Sequence, residues 1–167
     1  MNIYILRHGI AVERGSPEFE NDSQRPLTPE GKRQLHRTSR ALEKMKLEFD
    51  LILSSPFARA RQTAEIVAGE LKLRKQLRFS DELQPDGNAK NLFRQLHDLK
   101  PAPENILLIG HEPYLSCLIS LLVSSDKNVA IDFKKGGLCK LEVEKLRTGK
   151  CARLAWLLTP KQMKWMG

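Results

Sequence analysis

Three apolar, strand-like runs in this sequence end in residues that can bind or attack an anion. NIYILRHG ends in Arg7, His8 and Gly9, ENILLIGH ends in His111, and LILSS is followed by PFARARQTA, which carries Arg59. Arginine offers planar, permanently charged donors, and a neutral imidazole can attack through one ring nitrogen while the other keeps its proton. These residue types predict chemistry on a phosphoryl group.

The position of these residues at strand ends makes the prediction more specific. A single histidine or arginine in such a place is most often structural or solvent-exposed. Three ends of neighbouring parallel strands, however, meet at one rim, and the cations gathered there would repel one another unless an anion lay between them. Phosphate fits, since its transfer needs donors for three equatorial oxygens and an in-line nucleophile. Gly9, which lacks a Cβ, would let the backbone approach it closely.

The elements that would position these residues alternate between strands and helices. LTPEGKRQLHRTSRALEKMKL predicts a helix with Thr28 as N-cap and Pro29 at its first position. Further helices are expected to begin at Pro56, around Leu92 and after Pro113. Each of the three apolar runs is short enough to be a buried strand. The pattern is therefore strand and helix in alternation.

The remaining segments complete the predicted fold. The stretch from Leu73 to Gly87 follows neither period and is expected to be irregular, whereas residues 139–143 and 152–158 alternate and predict a hairpin at the sheet edge. Alternating strands and helices indicate a three-layer α/β/α sandwich with a mostly parallel central sheet. We expect residues 1–167 to form a single domain.

Composition limits the classes of partner. The formal net charge of +8 favours acidic partners: nucleic acid, an anionic membrane surface, a phosphorylated metabolite or an acidic protein. Basic residues are interleaved with acidic ones and no aromatic-interleaved basic stripe is present, so nucleic acid is not favoured. The apolar run 115–123 is too short to span a bilayer, and the first residues lack the pattern of a signal peptide. A cytoplasmic protein that binds neither membrane nor nucleic acid is expected.

Three motifs in fixed order resemble a known family. LRHG after the first strand, SSPFARARQTA after the second and GHEP after a later one resemble the histidine phosphatase superfamily, with the phosphoglycerate mutase-like fold, over nearly the whole chain. The resemblance implies that His8 is the nucleophile, that Arg7 and Arg59 bind phosphate, and that His111 is a second phosphate ligand. The family uses no metal or cofactor, so none is expected here.

The continuation of the first motif points to one branch. In metabolite-directed members, RHG is typically followed by Gln-Thr and a nearby Asn. This chain has Ala11 in place of that Thr and continues to RPLTPEGKRQ. Both features resemble the SixA-type phosphohistidine phosphatases. The short stretches from Arg59 to Asn91 and from Leu122 to Leu141 leave little material for a lid. An open site favours a protein substrate, and the expected partner is a histidine-phosphorylated signalling or phosphotransfer domain.

The proton donor and two serines allow alternatives. In the wider family a Glu after the second helix protonates the leaving oxygen, and Glu82 is the candidate proton donor here, with an exposed loop carboxylate as the alternative. A phosphohistidine expels imidazole and needs a weaker acid than a sugar phosphate does. Ser54 and Ser55 could donate to phosphate or cap the next helix, and capping is favoured.

Three functions stay open at this stage. The favoured one is a protein phosphohistidine phosphatase that works through a phosphohistidine intermediate. The alternatives are a small phosphomonoester or sugar-phosphate phosphatase of the same fold, and a basic nucleic-acid or scaffold module without catalysis. His36, His97 and Arg61 are expected away from the reaction, on helix surfaces.

Overall fold

A computed structural model describes residues 1–166. The protein folds around one six-stranded sheet. The strand order is β3-β2-β4-β1-β5-β6; the first four strands are parallel, β5 is antiparallel to β1, and β6 is antiparallel to β5. The strands are β1 (Asn2–Arg7), β2 (Leu51–Ser54), β3 (Leu77–Phe79), β4 (Asn105–Gly110), β5 (Leu138–Val143) and β6 (Ala152–Leu158). The helices are α1 (Pro29–Lys44), α2 (Ala58–Glu70), α3 (Ala89–His97), α4 (Tyr114–Ser124) and α5 (Pro160–Lys164).

The two faces of the sheet are covered by different helices. Successive strand residues point to opposite faces, so Ile3 and Ile5 of β1 pack with α3 and α4, whereas Tyr4 and Leu6 pack with α1, α2 and α5. Both clusters are buried, which is why the strands read as continuous apolar runs. The three-layer sandwich with a mostly parallel sheet is confirmed, as is the edge hairpin of β5 and β6.

Two local predictions differ from the structure, and one helix was not predicted. The segment predicted to be irregular contains β3, a three-residue strand that is mostly exposed and owes its conformation to pairing with β2. Helix α2 begins at Ala58 rather than at Pro56, because Phe57 is the N-cap and its backbone is extended. Helix α5 follows β6 and begins with a capping box at Thr159, which the pattern analysis did not predict.

The start of α1 is docked tightly against the segment that follows β1. The Thr28 N-cap is confirmed, since its Oγ1 accepts a hydrogen bond from Gly31 N at 3.0 Å. Its backbone N–H donates to Ile10 O at 2.9 Å. A Cβ on Gly31 would lie 2.0 Å from Ile10 O, so only glycine permits this approach. The contact closes the base of the polar loop 12–26 and fixes where that loop leaves the sheet.

The described helices also bear on membrane association. Within residues 1–166, none of them combines the length and the apolar composition needed to cross a bilayer.

Candidate active site

The carboxyl ends of three neighbouring strands bring the predicted residues together. Strands β2, β4 and β1 are adjacent and parallel, and Arg7 at the end of β1 is in register with Gly110 at the end of β4. The backbone continues this pairing beyond the strands, because His8 N donates to Gly110 O at 3.1 Å and Ser55 N donates to Ile109 O at 2.9 Å. The three strand ends therefore hold His8, Ser55 and His111 side by side.

The His8 ring has a defined orientation. Its Nδ1 lies 2.7 Å from Gly9 O, and because a carbonyl oxygen only accepts, Nδ1 carries the proton and Nε2 is left with its lone pair. Burial, followed by the charges of Arg59 and Arg7, lowers the pKa of His8 to about 3 against the opposing effect of the Gly9 hydrogen bond. The ring is 6% exposed. His8 is thus a neutral imidazole at neutral pH, with Nε2 available as a nucleophile.

His111 is packed beside His8. The two ring centroids are 5.1 Å apart, and the Phe57 ring lies 5.3 Å from His111 on another side. Burial, and then repulsion by His8 in its protonated form and by Arg59, lower the pKa of His111 to about 2. Its Nδ1 is buried, and no group within residues 1–166 forms a hydrogen bond with it.

Ser55 belongs to this site rather than to the cap of α2. Its Oγ shares a 2.9 Å hydrogen bond with His111 Nε2 and also accepts from Phe57 N at 3.3 Å. The N-cap of α2 is Phe57, which makes no side-chain capping bond, and Ser54 Oγ donates to Ser55 O. The capping prediction was therefore wrong: Ser55 orients the His111 ring.

Arg7 is held by the loop that precedes β5. Its Nη1 donates to Phe133 O at 2.6 Å, and its backbone N–H donates to Gly137 O at 3.1 Å. Burial lowers the pKa of Arg7 and the charges of Glu112 and Asp132 oppose this effect. Arg7 Nε is buried and, across the described part of the chain, makes no hydrogen bond. The guanidinium is fixed on one side only.

Arg59, in the first turn of α2, contacts the His8 ring directly. Its Nε donates to His8 Nε2 at 3.3 Å, and its side chain is 3% exposed. Thr63, one turn along α2, donates to Arg59 O at 2.7 Å and accepts from Gly9 N at 3.1 Å, which joins the helix to the loop after β1. The structure thus brings His8, Arg59 and His111 into one buried cluster, as the strand-end pattern predicts.

Asp22, the anion that faces Arg59, was not predicted from the sequence. Asp22 lies in a short 3-10 turn, Asp22–Gln24, in the polar loop after β1. Its carboxylate accepts from Arg59 Nη2 at 2.9 Å and its backbone O accepts from Arg59 Nη1 at 2.7 Å. The only sequence signal was an aspartate three residues before Arg25 in a segment that follows no period.

Gly9 and Glu82 have structural explanations beside their predicted roles. A Cβ on Gly9 would lie 2.8 Å from Leu35 Cδ1, so close packing against α1 accounts for the glycine. The Glu82 carboxylate accepts from Asn88 N at 3.0 Å and from Asn91 Nδ2 at 3.2 Å, at the start of α3. Both predicted roles in the reaction stay predictions.

The remaining candidates lie on the surface. The Arg61 guanidinium lies over the exposed Phe79 ring, 5.0 Å from its centroid, and His36 Nδ1 is 3.0 Å from Glu70 Oε1. The His97 side chain is 81% exposed and lies beside Asp98. Among residues 1–166, no group of three or more His, Cys, Asp or Glu side chains is arranged to hold a metal ion.

Comparison with known proteins gives one family. The family profile described as histidine phosphatase superfamily (branch 1) matches residues 3–84. Phosphohistidine phosphatase SixA of Escherichia coli is 32% identical over 123 residues, which cover 73% of this chain and 74% of that protein. An uncharacterized protein of Picosynechococcus is 32% identical over 142 residues, 84% of each chain. A solved structure of the protein histidine phosphatase SixA complexed with tungstate superposes with a TM-score of 0.81 and 26% identity, covering 96% of this chain and 98% of that one.

Proposed function

Because this chain belongs to the histidine phosphatase superfamily and is a hydrolase of its SixA type, we propose that it removes the phosphoryl group from phosphohistidine on a protein, through an intermediate phosphorylated on His8. One observation carries the proposal. The Nδ1 proton of His8 is fixed on Gly9 O, so Nε2 keeps its lone pair for attack, and before phosphate binds this lone pair accepts a 3.3 Å hydrogen bond from Arg59 Nε.

In the first step, His8 Nε2 attacks phosphorus. The Nε2–P bond forms as the bond from phosphorus to the substrate imidazole breaks, and that imidazole leaves with the electron pair and with the proton already on its other nitrogen. Arg7 and Arg59 stabilise the charge on the equatorial oxygens. The Gly9 carbonyl stabilises the positive charge that develops on the His8 ring, because Nδ1–H points at it.

In the second step, water hydrolyses the phosphorylated His8. The oxygen of water attacks phosphorus, the P–Nε2 bond breaks, inorganic phosphate forms and His8 returns to the neutral ring. We assign His111 as the second phosphate ligand, because it lies beside His8 and is oriented by Ser55. Its Nδ1 is buried and has no hydrogen-bond partner in the described chain. No step requires a metal or a cofactor.

Several features support a protein substrate over a small one. The sheet edge that carries the site is surrounded by the loop after β1, the turn before α3 and the loop before β5, rather than by an inserted subdomain. Enclosing a sugar phosphate would need more chain than this. The net charge of +8 favours an acidic surface around the phosphohistidine. The Escherichia coli relative is named a phosphohistidine phosphatase. The superposed SixA structure is a complex with tungstate, which is a tetrahedral oxyanion like phosphate. The proposed partner is a histidine-phosphorylated signalling or phosphotransfer domain.

Substrate comparison tests this proposal. The purified protein is given a phosphohistidine-bearing phosphotransfer domain, a sugar phosphate and a generic aryl phosphate, with His8→Ala as the inactive variant and His36→Ala as an exposed-histidine control. The proposal expects fastest turnover of the phosphoprotein, which His8→Ala abolishes and His36→Ala leaves intact. Fast turnover of the sugar phosphate alone favours the small-substrate alternative, and salt-sensitive nucleic-acid binding without turnover favours the binding module.

A further inference from the structure

Within residues 1–166, the Arg59 guanidinium donates hydrogen bonds to two residues, Asp22 and His8. Nη1 donates to Asp22 O at 2.7 Å, Nη2 donates to Asp22 Oδ2 at 2.9 Å, and Nε donates to His8 Nε2 at 3.3 Å. Because both terminal nitrogens are bound to one residue, the plane of the group cannot rotate without breaking two hydrogen bonds. Asp22 thereby holds the guanidinium so that Nε–H points at the nucleophile, while each terminal nitrogen keeps a second N–H besides the one that it donates to Asp22.

Asp22 is itself anchored away from Arg59. Its Oδ1 accepts from Arg25 Nε at 2.9 Å and from Arg25 Nη2 at 2.7 Å, and the Arg25 side chain is 12% exposed. Arg14, which is 80% exposed, reaches the same oxygen at 3.2 Å. The contacts form a chain from Arg25 through Asp22 and Arg59 to His8.

The charge state of Asp22 separates it from a proton donor. Burial alone would raise its pKa, but hydrogen bonds from Arg25 and Arg59, with their charges, lower it to about 2. The carboxylate is therefore ionised at neutral pH. Its role must come from its geometry and its negative charge.

That negative charge acts against the binding of phosphate. A phosphoryl group at His8 Nε2 needs donors for three oxygens, and Asp22 already takes one N–H from each terminal nitrogen of Arg59. The carboxylate also offsets one positive charge in a pocket that contains two arginines, the half-buried Arg7 and the buried Arg59. Asp22 thus reduces the attraction for a free anion while it aligns the donor that acts on the transferring group.

We propose that Asp22 is a positioning residue for phosphoryl transfer: it aims Arg59 Nε–H at the group on His8 and weakens retention of inorganic phosphate. The inference rests on the proposed role of His8 as nucleophile. Removing the carboxylate should then have opposite effects on two quantities. Turnover should fall because Arg59 is no longer aligned, while the affinity for inorganic phosphate should rise because one competing charge is gone.

The proposal is tested with Asp22→Ala and with the smaller change Asp22→Asn. Arg14→Ala is the matched control, because Arg14 binds the same carboxylate without contacting Arg59. We expect Asp22→Ala to lower kcat on an aryl phosphate about 10- to 100-fold. The same substitution should lower the inhibition constant of phosphate about 3- to 10-fold. Both values for Asp22→Asn should lie between those of Asp22→Ala and those of the parent protein. Arg14→Ala should stay within about two-fold in both. An unchanged kcat, or weaker phosphate binding that accompanies lost thermal stability, would mean that Asp22 only anchors its loop.

A second measurement keeps this inference separate from the proposed function. The Arg59 Nε–H resonance, identified by its loss in Arg59→Lys, should be protected from exchange in the parent protein and should lose that protection in Asp22→Ala. Unchanged protection would overturn the role of Asp22 even in a protein whose turnover is confirmed. If the protection is lost as expected but the parent turns over no phosphorylated substrate, the proposed function fails and the alignment of Arg59 by Asp22 stands.

Discussion

Mild acid should destabilise this protein through two histidines. His8 and His111 are buried as neutral rings, with pKa values lowered to about 3 and about 2, chiefly by burial. In the unfolded chain both rings take up a proton near pH 6.5. Between pH 6.5 and about 3 the unfolded state therefore binds more protons than the folded state does, so stability is fully present above that range and is lost as the pH falls.

The size of the loss follows from the two pKa values of each ring. Each of these histidines has a pKa of about 6.5 in the unfolded chain and stays unprotonated in the folded protein over this range. Lowering the pH from 7.5 to 5 should therefore reduce the free energy of unfolding by about 2 kcal/mol for each ring. The two rings together should cost about 4 kcal/mol. Carboxylates stay largely ionised in both states over this interval, so the change belongs mainly to the histidines.

Replacement of His111 isolates half of this effect. The free energy of unfolding is measured by urea titration between pH 7.5 and pH 5 for the parent, for His111→Gln and for His97→Gln, whose side chain is exposed. His111→Gln should halve the dependence on pH, to about 2 kcal/mol, whereas His97→Gln should leave it unchanged. Equal dependence in the parent and in His111→Gln would refute the claim that His111 is held neutral.

Three further substitutions have defined outcomes. Arg59→Ala should lower kcat about 100- to 1,000-fold, measured on an aryl phosphate, and a loss of only a few-fold would contradict its place beside the transferring group. Glu82→Gln should slow phosphohistidine hydrolysis only modestly, because imidazole leaves readily. If the parent protein turns over a sugar phosphate well and Glu82→Gln lowers that rate about 100- to 10,000-fold, the small-substrate alternative is favoured. Gly31→Ala should lower the melting temperature by several degrees, because its Cβ would collide with Ile10 O. Melting at the parent's temperature would show that the loop after β1 moves freely.

The parts of the site that could be predicted are those fixed by local sequence. His8 and His111 directly follow apolar runs, and parallel strands put such ends at one rim whatever the details of packing. Thr28 and Pro29 mark a helix start through hydrogen bonding and backbone geometry that are local to the chain. These predictions needed no knowledge of distant contacts.

The parts that could not be predicted depend on contacts between segments distant in sequence. Asp22 pairs with Arg59 across 37 positions, and Ser55 meets His111 across 56. Strand β3 has two exposed residues and forms because β2 offers an edge, not because its own sequence favours a strand. Sequence periodicity contains no information on such pairings, so no role was predicted for Asp22, and Ser55 was given capping as its favoured role with donation to phosphate as the alternative.

The central claim is that His8 Nε2 accepts the phosphoryl group, and trapping the phosphorylated protein tests it most directly. The protein is mixed with a phosphohistidine-bearing domain, quenched within milliseconds under alkaline conditions that preserve phosphohistidine, and analysed by intact mass and peptide mapping. The account predicts a transient gain of one phosphoryl group on His8, absent in His8→Ala and present in His36→Ala. Turnover that persists in His8→Ala, or a phosphoryl group found on another residue, would contradict it.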